Sequence, residues 1–209
     1  EAPETFIESR STTICNVPAM TTGNRPADGG HLIIEDEELD DFVSKEPNAS
    51  RYIKKLVGSA EFINGKKRWC LWLVDATPTE LRKMPLVMER IRLCREDREN
   101  APDEGRRKLA EKPSIFRETK NPPSCVLIPA TSSENRRYIP IGFIDGSTIT
   151  TNAVLISPSA PLYHFGVLTS NIHMAWMRTV CGRLKSDYRY SKDIVYNNFP
   201  WPDVTDEQK

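Results

Sequence analysis

The chain has 209 residues, 38% of them hydrophobic and 28% charged, with 29 basic and 29 acidic side chains. That is the composition of a soluble globular protein with one ample core or two small ones. No apolar run approaches the roughly 18–20 residues of a membrane span and no signal peptide opens the sequence, so membrane partners are not expected. Zero net charge argues at first against nucleic acid, but the charges are unevenly spread. Residues 1–50 carry 3 basic and 11 acidic groups, a balance of −8, while residues 51–150 carry 20 and 13, a balance of +7. Such asymmetry can conceal a basic face, or it can reflect charged helices solvated on all sides. Five scattered cysteines with no C-x-x-C pair suggest small apolar residues in a reducing, cytoplasmic setting, not a zinc or disulfide framework.

The chain opens on EAPETFIESR without a methionine, so it is expected to be a piece of a longer protein. Asp28-Gly29-Gly30 is turn chemistry ahead of a short β-prone run, His31–Ile34, and Asp36 opens an acid-rich helix start. PNASRYIKKLVGS reads as a further short helix, capped at Asn48 or Ser50 and stopped by Gly58. After the Asn64-Gly65 turn, Trp69–Val74 is a continuous apolar run of the kind found in a buried central strand. Helical spacing follows over 79–99 and again over about 103–112, up to Pro113.

The texture then turns to β, with strand-like runs at Cys125–Ile128, Tyr138–Ile144 and Ala153–Ile156, and Asp145-Gly146 as a hairpin turn. Loops are predicted at Thr131–Arg137 and Ser147–Asn152. APLYHFGVLTSNIHMAWMRTVCGRLK is the strongest helical pattern, with Phe165, Leu168, Ile172, Trp176 and Val180 at spacings of three and four. The last dense stretch, SDYRYSKDIVYNNFPWP, has three readings: a base-stacking surface, a joint to another domain, or an aromatic strap over the core. Exposed rings that stack on bases suit single strands, whereas aromatics that follow a long apolar helix and sit between prolines suit the strap. The fold class expected is α+β, a mixed or antiparallel sheet with flanking helices and one long apolar helix near the C-terminus.

Motifs that carry catalysis are incomplete. NPPS at Asn121–Ser124 has the start of the N/D-P-P-Y/F turn of amino-methylating enzymes but places Ser124 where the stacking aromatic belongs, and no glycine-rich cofactor turn accompanies it. Asp103, Glu104, Glu111 and Lys112 sit in a helical pattern that better suits a solvated surface than a nuclease centre. His164 and His173 are nine apart, on opposite sides of a helix, and read as packed histidines. No catalytic residue, metal ligand or cofactor-binding residue is assigned. What remains suits recognition. Candidate DNA contacts are Lys66, Lys67 and Arg68 after a turn; Arg117 and Lys120 before the β segment; and the polar loop Ser132, Ser133, Glu134, Asn135, Arg136 and Arg137. Thr148, Thr150 and Asn152 form a second, uncharged loop, and Arg183, Lys185 and Arg189 edge the aromatic stretch. Arg suits guanine edges, Asn adenine, Glu the cytosine amino group, and Ser or Thr phosphate or base edges. Glu134 paired internally with Arg136 or Arg137 is the competing use of that loop.

With those residues in view, GNRPADGGHLI, RWCLWL, IPATSSENRRYIPIGF and HMAWMRTVCGRLKSDYRYSKDIVYNNFPWP resemble the target recognition domain of MmeI-like type II restriction–modification enzymes. In that family one polypeptide joins a nuclease, an adenine methyltransferase and a DNA-reading domain. The resemblance implies that 1–30 is a lead-in from an upstream methyltransferase domain, 31–202 the recognition domain and 203–209 a tail. It implies double-stranded DNA as partner, and S-adenosylmethionine as cofactor of the parent enzyme but not of these residues. The rival from another class is a protein-interaction or scaffolding module that uses the C-terminal aromatic strap.

Overall fold

A computed structural model describes residues 6–208. In chain order the strands are β1 (Thr21–Thr22), β2 (Ile33–Glu35), β3 (Ile53–Val57), β4 (Arg68–Leu71), β5 (Ser124–Pro129) and β6 (Thr131–Ser132). They continue as β7 (Gly142–Asp145), β8 (Thr148–Thr150), β9 (Val154–Pro158), β10 (Gly182–Leu184) and β11 (Asp187–Arg189). The helices are α1 (Asp36–Lys45), α2 (Ser59–Asn64), α3 (Pro78–Leu81), α4 (Pro85–Glu99), α5 (Glu104–Lys108), α6 (Leu162–Leu168) and α7 (Asn171–Val180). The class is α+β, and the chain forms two compact units. Unit 1 takes Glu1–Thr22, Pro122–Asp145 and Ala153–Lys209; unit 2 takes Gly23–Asn121 and Gly146–Asn152.

Unit 2 is built on the mixed sheet β2-β4-β3-β8, in which only β3 and β8 run parallel. The apolar run RWCLWL lies between β2 and β3 and is buried on both sides. Alternation sends Cys70 and Trp72 to a cluster with Leu32, Leu56, Cys94, Phe116 and Ile149. Leu71 and Leu73 go to the opposite cluster with Ile34, Phe42, Tyr52, Met84 and Val87. Buried Glu46 receives the Leu86 amide at 3.0 Å and so serves as the cap that Met84 cannot give to α4. Gly23 lets the backbone close on β8, because a Cβ there would lie 2.3 Å from the Thr151 carbonyl oxygen.

Arg98 is the most unusual interior residue, 1% exposed and, among the described residues, without a carboxylate partner. Nε donates to the Ala27 carbonyl at 2.8 Å, Nη1 to those of Leu109 and Lys112, and Nη2 to those of Pro26 and Ile115. All five guanidinium N–H groups are thereby used, and the bonds hold Ala27 at a left-handed φ of 47°.

Unit 1 holds the antiparallel sheet β1-β9-β5-β7 and a small sheet β10-β11-β6. Its core joins Val126, Ile128, Leu155 and Leu168 to Met174, Met177 and the aromatic strap: Tyr190, Tyr196, Phe199 and Trp201 are all buried. Both interior histidines are bonded to that strap, His164 Nε2 to the Tyr196 hydroxyl at 2.8 Å and His173 Nε2 to the Tyr190 hydroxyl at 2.9 Å. The Trp201 ring stacks on His164 with centroids 4.0 Å apart. Asn197 and Asn198 pin the segment before β1 to the strap, their side-chain amides donating to the Arg10 and Glu8 carbonyls.

Several sequence expectations are corrected. Among the described residues there is no long apolar helix near the C-terminus: the pattern is split into α6 and α7 at Thr169-Ser170. Thr169 Oγ1 returns to the Phe165 carbonyl at 2.8 Å, while Ser170 turns extended and its hydroxyl accepts the His173 amide at 3.2 Å, capping α7. The helix predicted from PNASRYIKKLVGS is a 3₁₀ turn over Pro47–Tyr52 followed by strand β3, and Gly58 starts α2 instead of ending a helix. Of the run Tyr138–Ile144 only its end is strand, since Pro140 offers no ladder donor. Asp145-Gly146 is a turn but not a hairpin, because the strand after it pairs with β3 instead of β7. For the same reason Ser147–Asn152 is mostly a strand, not a loop.

Candidate recognition surface

Among the described residues a group of cations without ion-pair partners lies on and beside the small sheet of unit 1. Strands β10 and β11 form a hairpin through Lys185-Ser186, in register Arg183↔Tyr188 and Leu184↔Asp187. Lys185 occupies a left-handed φ of 57° at its tip. Strand β11 then pairs with β6, Tyr188 facing Ser132 and Arg189 facing Thr131. Alternation turns Tyr188 and Ser132 to the core, where both are buried, and leaves Leu184 and Arg189 on the outer face. Arg183 covers the Tyr188 ring at 4.2 Å and donates to the Ser186 carbonyl at 3.0 Å, stiffening the ribbon.

Because β6 borders the hairpin, the loop that leaves it is held beside the same ribbon. The Ser133 hydroxyl accepts the Asn135 amide at 3.3 Å, the Ser133 carbonyl accepts that of Arg136 at 3.1 Å, and the Glu134 amide reaches Asp187 at 3.4 Å. The far end is tied by Arg178 Nη1 to the Arg137 carbonyl at 2.8 Å. The side chains of Glu134, Asn135 and Arg137 are exposed, and Arg136 is half-buried. Among the described residues no carboxylate lies within ion-pairing distance of Arg136, Arg137, Arg183, Lys185 or Arg189. The internal Glu134–arginine pair weighed from the sequence is absent. Free cations on a backbone fixed at both ends are an arrangement for meeting anions and base edges.

The structure thus unites two candidate groups that stood apart in the sequence, residues 132–137 and 183–189. Lys66, Lys67, Arg68, Arg117, Lys120, Thr148, Thr150 and Asn152 fall in unit 2. There Lys66 and Lys67 are exposed, and Arg68 is engaged by Glu61 at 3.0 Å. Arg117 lies exposed, 3.7 Å from Glu118, and the Lys120 backbone is clasped by the Asn24 side chain. Thr150, 3% exposed, is an interior strand residue and Asn152 is exposed. Sequence reading passed over Arg178 and Asp187, which fix the loop. The period-two pattern of RLKSDYR was the available signal, obscured by the preceding helix and the following aromatics. Among the described residues no group of three or more His, Cys, Asp or Glu side chains is placed to hold a metal ion.

Comparison with known proteins gives this surface its context. The family model described as MmeI, target recognition domain, matches residues 1–203. The chain belongs to the MmeI target recognition domain family. DNA methyltransferase A of Bacillus subtilis (strain 168) is 41% identical over 205 residues, which take in 98% of this chain and 23% of that protein. The solved structure of the type IIL restriction–modification enzyme MmeI in complex with DNA superimposes with a TM-score of 0.95 at 43% identity, over 98% of this chain and 28% of MmeI. This MmeI-family domain therefore spans about a quarter of the length of those relatives.

Proposed function

We propose that the chain is the DNA-reading domain of a larger adenine-specific, S-adenosylmethionine-dependent methyltransferase of restriction–modification type. It positions the parent enzyme on a short site in duplex DNA. The parent's methyltransferase domain lies upstream, joined through residues 1–30, with 31–202 as the reading domain and 203–209 as a tail. The cofactor belongs to that upstream domain. Five free cysteines accord with a reducing cytoplasm, where the DNA substrate is found.

The observation that carries the reading is the β10–β11 ribbon with its attached 133–137 loop. A two-stranded ribbon fits the major groove, and this one presents Lys185 and Arg189 without ion-pair partners. Arg136, Arg137 and Arg189 suit guanine edges or phosphates, Asn135 suits adenine, and Glu134 the cytosine amino group. Lys66, Lys67 and Arg117 in unit 2 suit phosphate contacts, which add affinity but no sequence information.

Fluorescence anisotropy with a labelled duplex at low salt tests the proposal. Binding is expected to weaken with rising salt. Arg136→Ala with Arg137→Ala is expected to weaken it further and to flatten the salt slope by about one for each phosphate no longer neutralised. The triple change Arg183→Ala, Lys185→Ala and Arg189→Ala is expected to do the same. Affinity indifferent to both sets and to salt would remove this surface from the function.

A further inference from the structure

Unit 1 carries a second surface of opposite character. Leu162 at the start of α6 is 77% exposed and Ile172 in the first turn of α7 is 75% exposed, the highest values for large aliphatic side chains among the described residues. Between these helices and the end of the aromatic strap lies a groove of about 520 Å³, lined by Tyr163, Val167, Ile172, Phe199, Pro200 and Pro202 with Gly166 and Ser170. No charged side chain lines it. Contiguous apolar surface of this kind marks a contact face, and the missing charge rules out a nucleic-acid backbone as its occupant.

We infer that this α6–α7 groove is the docking face for the catalytic part of the same polypeptide. The inference rests on the proposed function, since it supposes a longer parent. The relatives are about four times the length of this chain, which fills 23% of one and 28% of the other. In such a protein a partner several times larger is covalently tethered. Its effective concentration is of millimolar order for a short linker, far above that of a second copy in solution. The groove therefore meets the tethered domain first. The occupant it fits is an aliphatic ridge without charge, seated against Val167 and Ile172, beside exposed Leu162, with the proline-stiffened strap as one wall. Two faces of unit 1 then divide the work, the charged ribbon for DNA and the apolar groove for the enzyme that acts on it.

The test compares hydrogen exchange of α6 and α7 in the full-length parent and in the 209-residue chain alone. Amides of both helices are expected to exchange at least about tenfold more slowly in the full-length protein. Leu162→Glu with Ile172→Glu is expected to return them to the rate of the isolated chain and to speed proteolytic separation of the two parts. The same changes are expected to leave the melting temperature and DNA affinity of the isolated chain unaltered, because both side chains already face solvent. Equal exchange rates in the two wild-type proteins would overturn the inference, as would protection that depends on protein concentration, the mark of a second copy. DNA affinity is read separately through the ribbon variants, so failure of the DNA-reading proposal is distinguishable from failure of this one.

Discussion

Arg98 and Arg92 show how environment decides what an arginine is worth. Arg92 sits on the solvent face of α4 with Glu89 at 2.7 Å and Glu96 as ion partners, all about half-exposed. Such pairs contribute little, and Arg92→Lys is expected to leave the urea midpoint essentially unchanged. Arg98 instead answers five interior carbonyls, and a lysine has neither the planar reach nor the donor number to replace it. Arg98→Lys is expected to cost about 3 kcal/mol or more, seen as a lower urea midpoint at unchanged slope. Equal effects of the two changes would refute this ranking. The buried histidines make a different kind of prediction. Burial lowers the pKa of His164 and of His173 from 6.5 to about 4. Their folded pKa values lie below the unfolded ones, so the unfolded chain binds more protons between those limits. Stability is then full above pH 6.5 and falls as pH drops from 6.5 toward 4, by up to about 1.4 kcal/mol per pH unit per histidine. Denaturant melts at about pH 7 and about pH 5 measure it, and identical midpoints would contradict it.

Among elements, the β10–β11 hairpin joins proposed DNA contacts to backbone strain. Lys185 holds a left-handed conformation that a lysine adopts at a cost and a glycine adopts freely. Lys185→Gly is therefore expected to keep or raise the melting temperature by a degree or more relative to Lys185→Ala, while both lose DNA affinity. Affinity falling only in step with stability would count against a recognition role for this residue. The hairpin also marks where the sequence was hard to read. RWCLWL announced a central strand because burial on both faces requires an unbroken apolar run. The C-terminal strap was legible because aromatics between prolines have few alternatives to packing. IKKLV misled because two lysines interrupt its alternation: Lys55 is exposed and the Lys54 ammonium bonds to the Gly146 carbonyl, and what makes the segment a strand is its pairing with β4 on one side and distant β8 on the other. Helical spacing ran unbroken through α6 and α7, and only the hydroxyls of Thr169 and Ser170 interrupt it. Half of the proposed recognition surface was visible as a polar loop. Its union with Arg183–Arg189 needs the β6–β11 pairing, which no local pattern encodes.

At the scale of the molecule, neutrality conceals an uneven distribution of charge. Charge is withheld from the α6–α7 groove and left unpaired on the ribbon, so a net charge of zero does not bear on DNA binding either way. The path of the backbone has a practical consequence. It leaves unit 1 at Asp145, lays β8 beside β3 in unit 2, and returns at Ala153 to form β9. Whoever exchanges one of these units between related enzymes must therefore cut at four seams, not one. A transplant severed only at Asn121 carries a sheet lacking its outermost strand, with Leu56 and Ile149 parted and an open edge inviting aggregation. A graft that brings Gly146–Asn152 along keeps that edge closed. The seven-residue excursion completes the sheet of unit 2 and so belongs with Gly23–Asn121 in any exchange.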